Sequence, residues 1–264
     1  MFCKIALPLS VDSDYLFLMN DKFRFQHFVI CQQLCAMKVG TDGVLLGAWA
    51  NGGARVLDIG TGTGIIALMM AQRYPAAQVT AIDIDEGAVV QATANVAASP
   101  FSHRIEMMPI RVQDLCAVQS CQGIYDGVVS NPPFFIDSLK PRSACQSKKS
   151  QSAFQGKNAP DCQRSIARHA DTLTYGELMQ SAKHLLSDDG ELSVVVPFDY
   201  RQRMEDEATF CGFFPSRLCA VHTVAGRMAR RYLLAFRKHP CAVECDSITI
   251  GDEAYRRLTQ DFYL

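Results

Sequence analysis

From Ala54 onward, short apolar runs alternate with helical stretches. Arg55-Val-Leu-Asp-Ile59 predicts a buried strand, followed by a Gly-rich turn and a helix over about Ile65–Tyr74 that Pro75 ends. Gln78–Asp83 predicts the next strand and Asp85–Ala98 the next helix, with Asp85 and Glu86 placed favourably near its positive end. Ile105–Met108 and Tyr125–Ser130 predict a third and a fourth strand. After a long polar interval come a helix at Thr174–Leu186, a strand at Glu191–Val196 and a helix at Tyr200–Cys211. Strands near Leu218–Thr223 and Arg231–Arg237 can pair as a hairpin. This rhythm predicts an α/β fold, an open and mostly parallel seven-stranded sheet with helices on both faces and an antiparallel C-terminal hairpin.

The predicted organisation is one unit with appendages. Residues 1–50 form an N-terminal extension whose aromatics (Phe17, Phe23, Phe25, Phe28) suit packing on the sheet or lining a site. Residues 51–240 form the main domain, and 241–264 a strand and helix completing it. Within it, 137–165 is rich in Ser, Gln and Lys and reads as a flexible basic insertion. A length of 264 residues with 48% apolar composition excludes a disordered chain. The longest nearly apolar run, Ile65–Ala71, is too short to span a bilayer, and the N-terminus lacks a convincing secretory signal. A soluble cytoplasmic protein is expected. The eleven cysteines include no Cys-x-x-Cys pair, so neither a metal site nor a disulfide framework is expected, and most should be buried thiols.

The formal net charge is only −1, but its distribution is uneven. Between Asp137 and His169, Lys140, Arg142, Lys148, Lys149, Lys157, Arg164 and Arg168 face only Asp137 and Asp161. A second cluster, Arg227, Arg230, Arg231, Arg237 and Lys238, contains no carboxylate. One positive face on a neutral molecule is compatible with a nucleic-acid partner.

The candidate chemistry lies where strands end. Asp58-Ile-Gly-Thr-Gly-Thr-Gly64 follows the first strand of the domain and opens a helix. Gly60, Gly62 and Gly64, with Thr61 between, let the backbone turn tightly and approach a ligand. An acid at the strand end repels phosphate but suits the ammonium of an amino-acid moiety. Asp83, with Ile84 beside it, ends the second strand, where a carboxylate can accept from both hydroxyls of an adenosine ribose. Together these describe an S-adenosylmethionine site rather than a dinucleotide site. Gln113-Asp114 could accept from the cofactor's adenine amino group or merely cap a turn. Asn131-Pro132-Pro133-Phe134 closes the fourth strand. The Asn131 side-chain oxygen and Pro132 carbonyl can each accept one hydrogen from an NH2 group, and Phe134 offers a face for stacking.

These motifs resemble the class I S-adenosylmethionine-dependent methyltransferases, with their Rossmann-like fold, that modify amino groups. Ala36-Met-Lys-Val-Gly-Thr-Asp-Gly-Val-Leu-Leu-Gly-Ala-Trp49, Arg168-His169 and the ending Gln260-Asp-Phe-Tyr-Leu264 are similar to the bacterial tRNA1(Val) adenosine-37 N6-methyltransferases. The resemblance implies that the 36–49 block, and with it the 1–50 extension, packs over the cofactor. Lys38, Gly40, Thr41 and Asp42 would then contribute to binding. It also implies a tRNA substrate, S-adenosylhomocysteine as product, no metal and no obligate protein partner. Lys140, Arg142, Lys148, Lys149, Arg168, His169, Arg230 and Arg231 would meet the RNA. The insertion after Phe134 is longer than in that family. A protein glutamine N5-methyltransferase acting on release factors, a guanine N2-methyltransferase and a cofactor-binding protein without activity are the alternatives.

Overall fold

The computed structural model of the protein describes residues 22–35, 38–133 and 173–264. Strands β1 (Lys22–Arg24) and β2 (Val29–Cys31) form a small antiparallel hairpin ahead of α1 (Thr41–Trp49). The domain then runs β3 (Arg55–Ile59), α2 (Ile65–Arg73), β4 (Gln78–Asp83), α3 (Glu86–Ala97), β5 (Ile105–Pro109), α4 (Val112–Cys116) and β6 (Tyr125–Ser130). It continues with α5 (Tyr175–Leu185), β7 (Leu186–Pro197), α6 (Arg201–Phe210), β8 (Phe214–His222), β9 (Arg231–Arg237), β10 (Glu244–Thr249) and α7 (Glu253–Thr259).

The main sheet has the order β10-β8-β9-β7-β6-β3-β4-β5. β9 is antiparallel to both of its neighbours, and every other pairing is parallel. The open α/β sheet and the C-terminal hairpin are as expected, but the sheet has eight strands rather than seven. The eighth, β10, is the strand expected within 241–264; it lies at the edge, with residues 244–247 exposed.

Alternate side chains along the strands feed two cores. Val56, Val79, Ala81, Val129, Val195 and Leu233 pack with α1, α2 and Phe262 on one face. Leu57, Ile59, Val128, Leu192, Val194 and Leu234 pack with α4, α5 and α6 on the other. This is the period-two pattern of a sheet covered on both sides.

The stretch before β3 is largely helical. Nine of its residues form α1, buried from Gly43 to Trp49. A helix buried on all sides has no polar face to betray it. A Cβ added at Gly47 would lie 2.8 Å from the Met69 sulfur and 3.0 Å from its Cβ, so the glycine permits close approach of α1 to α2. Arg73 donates to the Gly47 and Ala50 carbonyls at the end of α1. The Arg217 guanidinium stacks 4.0 Å above the Trp49 ring and donates to its carbonyl.

The described N-terminal aromatics choose packing over site lining. Phe25 and Phe28 are buried; Phe25 stacks with Tyr263 of the C-terminal tail, and Phe23 meets the same ring edge-on. The Gln26 amide donates to the carbonyls of Gln260 (2.7 Å) and Tyr263 (2.6 Å), and Phe262 fills the core. Phe17, with the rest of 1–21, lies outside the described residues. The eight described cysteines are free thiols, and only Cys121 and Cys219 are buried. Cys241 and Cys245 are exposed, so the expectation of mostly buried thiols fails. Among the described residues, no helix is long and apolar enough to cross a membrane.

Candidate active site at the carboxyl edge of the sheet

Strand order reverses between β3 and β6, the position where open α/β sheets leave a crevice beyond the carboxyl ends of their strands. Register brings the candidate residues to one level there. Ile59 lies opposite both Ile82 and Ser130, so Gly60 sits between Asp83 on one side and Asn131 on the other. The Ser130 hydroxyl donates to the Ile59 carbonyl (2.9 Å) and ties the two strand ends together.

The glycine loop is built for a ligand. Gly60, Gly62 and Gly64 have φ of 71°, 56° and 82°, a region costly for residues with a Cβ. A Cβ at Gly60 or Gly62 would meet nothing within 4 Å, whereas one at Gly64 would press on Ala92 at 3.3 Å. The first two glycines thus border open space and the third permits helix packing.

Three side chains fix this loop. Asp58, wholly buried, accepts from the Thr61 hydroxyl (2.6 Å) and the Ala67 amide (3.1 Å) through Oδ2. Asp83 accepts from the Gly62 amide (2.9 Å) and from the Asp85 amide (3.0 Å). Asn95, which sequence reasoning did not single out, donates to the Thr63 carbonyl (2.9 Å) while exchanging two hydrogen bonds with the Cys31 backbone. An Asn inside a predicted helix gives no sign of a distant partner, so nothing in the sequence pointed to it.

Asp58 Oδ1 is buried and has no hydrogen-bond partner among the described residues. Burial pushes its pKa up to about 7, the hydrogen bonds from Thr61 and Ala67 oppose the rise, and Asp83 adds to it. Such a carboxylate gains by receiving a cation. Asn131 Oδ1 is likewise buried and unpartnered among the described residues, and Pro132 behind it is buried. Two buried acceptors without partners among the described residues need donors from elsewhere.

The remaining candidates distribute as follows. Ile84 is 50% exposed beside Asp83, an apolar side chain at the rim. Cys35 lies close enough to Asp83 and Asp85 that, with burial as the larger cause, its thiol is pushed up to about 11. Lys38, Gly40 and Thr41 are exposed, and Gly40 caps α1 in an extended conformation. Asp42, half-buried, pairs with Arg231 (2.8 Å), so one expected cofactor residue holds one expected RNA residue. Gln113 and Asp114 are exposed on α4, and the Gln113 side chain hydrogen-bonds to Glu177 in the capping box of α5. Arg230 is exposed at the start of β9. Phe134, Lys140, Arg142, Lys148, Lys149, Arg168 and His169 lie outside the described residues.

Comparison with known proteins now decides the family. The model of the methyltransferase small domain matches residues 39–147. A tRNA1(Val) (adenine(37)-N6)-methyltransferase from Phocaeicola vulgatus is 43% identical over 93% of this chain and 98% of its own length. Relatives of the same name from Bacteroides thetaiotaomicron and Trichodesmium erythraeum are 41% and 38% identical, each over 93% of this chain and 98% of their own. The chain belongs to the tRNA1(Val) (adenine(37)-N6)-methyltransferase family. The fold has a counterpart in the crystal structure of a predicted O-methyltransferase from Agrobacterium tumefaciens, with a TM-score of 0.57, 16% identity and coverage of 84% of this chain and 96% of that one. In this chain residues 41–49 of the block form the buried α1, with Gly47 close against α2, and the C-terminal tail meets the N-terminal hairpin.

Proposed function

We propose that the protein transfers a methyl group from S-adenosylmethionine to the exocyclic N6 of adenosine 37 in tRNA1(Val). Membership of the family supports the substrate. The observation that carries the chemistry is the buried, unpartnered Asn131 Oδ1 beside the open glycine loop.

The residues present fit the cofactor. Asp58 Oδ1 offers an acceptor to its ammonium, and Gly60 and Gly62 leave room for close backbone approach. Each Asp83 oxygen accepts one backbone amide and keeps a lone pair for a ribose hydroxyl. Ile84 offers an apolar face to the adenine, and Asp114 an acceptor to its amino group. Gln113 hydrogen-bonds to Glu177 instead. Lys38, Gly40 and Thr41 line the approach, and Asp42 orients Arg231. Bound S-adenosylmethionine supplies an electrophilic methyl group on a sulfonium.

Asn131 Oδ1 and the Pro132 carbonyl each take one hydrogen of the target NH2. With both hydrogens held, the nitrogen lone pair turns out of conjugation and into a fixed direction. Consecutive prolines stiffen the backbone that supplies this clamp. No strong base is needed, because the nitrogen becomes acidic only once it carries the new methyl. Most of the acceleration then comes from orientation and proximity. Phe134 follows directly in sequence as the stacking face. The target base must leave its stack to reach the clamp, a modest cost for an unpaired loop nucleotide.

Purified protein given labelled cofactor, tRNA1(Val) and release factor side by side tests this. Label should enter the tRNA alone, appear as N6-methyladenosine after digestion, and vanish when adenosine 37 is replaced by guanosine. Label in the release factor, or on guanine, would overturn the assignment.

A further inference from the structure

β8 and β7 are both antiparallel to β9, so the β8–β9 hairpin loop, residues 223–230, leaves the sheet at the same edge as Asn131. This loop is built rather than slack. Nδ1 of His222 donates to the Arg227 carbonyl (2.7 Å), the Arg227 amide donates to Val224 (3.2 Å), and Gly226 takes φ 73°. The Arg230 amide donates back to Val221 (2.8 Å), and its carbonyl accepts from the Phe198 amide (3.1 Å), so the residue following β7 is fastened to the hairpin.

Large apolar groups stand in solvent there. Met228 is 70%, Val224 57% and Phe198 41% exposed, and the Phe198 ring is backed by Tyr232 at 6.1 Å between centroids. The stretch of chain that forms the hairpin carries charge of one sign. From residue 208 to 243 the chain has no carboxylate. Of the cations in that stretch, Arg217 and Arg237 are spent on buried Glu191, Arg231 on Asp42 and Lys238 on Asp188. Arg227 and Arg230 are exposed and make no ion pair among the described residues. Asp199 is the acidic neighbour, next to Phe198 in sequence.

Extruding a base from a loop leaves its neighbours without a stacking partner. A site that performs the extrusion gains if it supplies a replacement face and holds the adjoining phosphates. We propose that Phe198 and the tip of the β8–β9 hairpin form an RNA subsite for the nucleotide adjoining the methylated adenosine. Phe198 and Met228 offer the stacking face, and Arg227 and Arg230 grip the flanking phosphates. The inference rests on the tRNA assignment above and adds to it the place where the neighbouring nucleotide is held.

The test measures equilibrium binding of fluorescently labelled tRNA1(Val), with cofactor affinity and turnover followed in parallel. Phe198→Ala should weaken tRNA binding on the order of tenfold, as loss of one base stack does, and Phe198→Trp should restore it. Arg227→Gln combined with Arg230→Gln should lower the slope of log affinity against log salt by about 1.4, roughly 0.7 per lost single-strand phosphate contact. Phe210→Ala, which removes a still more exposed ring at the end of α6, should change neither, and S-adenosylmethionine affinity should hold in every variant. Unchanged tRNA affinity and salt slope in the Phe198 and arginine variants would overturn the subsite and leave the apolar tip to a protein partner. Loss of cofactor affinity together with RNA binding would overturn it too, by assigning Phe198 to scaffold. A wild-type protein that binds tRNA but does not methylate it would sink the proposed function, while the binding comparison would still decide the subsite.

Discussion

Asp58 carries two tasks that pull in opposite directions. Its Oδ2 braces the glycine loop, and its buried Oδ1 waits for a cation. Burial raises its folded pKa to about 7 from the ordinary 3.8, so the folded state binds the proton more tightly than the unfolded one. That contribution to stability is fully present below the unfolded value and is lost as pH rises through about 7. Thermal melts of the cofactor-free protein should therefore fall between about pH 4 and 7 and level off above, and Asp58→Asn should flatten the fall. An ammonium needs the ionised carboxylate, so stabilisation by added cofactor should be larger at pH 8 than at pH 6. Equal stabilisation at both would remove the ammonium from Asp58. At Asp83, truncation to Ala should weaken cofactor binding by about 1.5–3 kcal/mol, the range for a hydrogen bond to a charged group, as calorimetry would read it. Asn131→Ala should abolish transfer and leave cofactor affinity within a few-fold. Equal loss of both would make Asn131 scaffold.

Helix α1 shows how a glycine can be a packing decision. A Cβ at Gly43 meets Ile65 at an ordinary 3.5 Å, while one at Gly47 meets Met69 at 2.8 Å. Gly43→Ala should thus be neutral or gain up to about 1 kcal/mol of helix propensity. Gly47→Ala should lose about 1–3 kcal/mol to overpacking, because the Met69 Cβ cannot turn away as a side-chain tip can. Urea unfolding of the two variants measures the contrast, and equal midpoints would mean that α1 does not approach α2 this closely. The same physics explains which elements could be read from sequence. β3, β4, β6 and β9 were legible to the residue because each is a short segment built around buried apolar residues. α1, buried on every side, lacks the periodicity that marks an element, and β10, exposed along most of its length, could be expected only as a strand somewhere in 241–264. The glycine loop, Asp83 and Asn131 could be placed at the carboxyl edge from sequence because each follows or ends a strand that the sequence marks. Asn95, Ser130 and the Asp42–Arg231 pair were not, because their partners lie 189 residues away or on other strands.

Chain ends and charge organise the molecule at large. The tail reaches back to the N-terminal hairpin, with Phe262 buried and Gln26 reading two tail carbonyls. Phe262→Ala should cost about 3–5 kcal/mol and release amide protection across β1 and β2 as well as the tail. Hydrogen exchange confined to the tail would show the two ends to be independent. Net charge near zero conceals a carboxylate-free stretch from 208 to 243 whose uncommitted arginines lie at the edge that carries Asn131. The central claim is that this edge holds an adenine amino group for methylation, and nucleosides from living cells test it most directly. Mass spectrometry of tRNA1(Val) from cells lacking the protein should find unmodified adenosine at position 37. N6-methyladenosine should return with the wild-type gene and not with Asn131→Ala. N6-methyladenosine persisting at that position without the protein, or returning with the Asn131→Ala variant, would contradict the account.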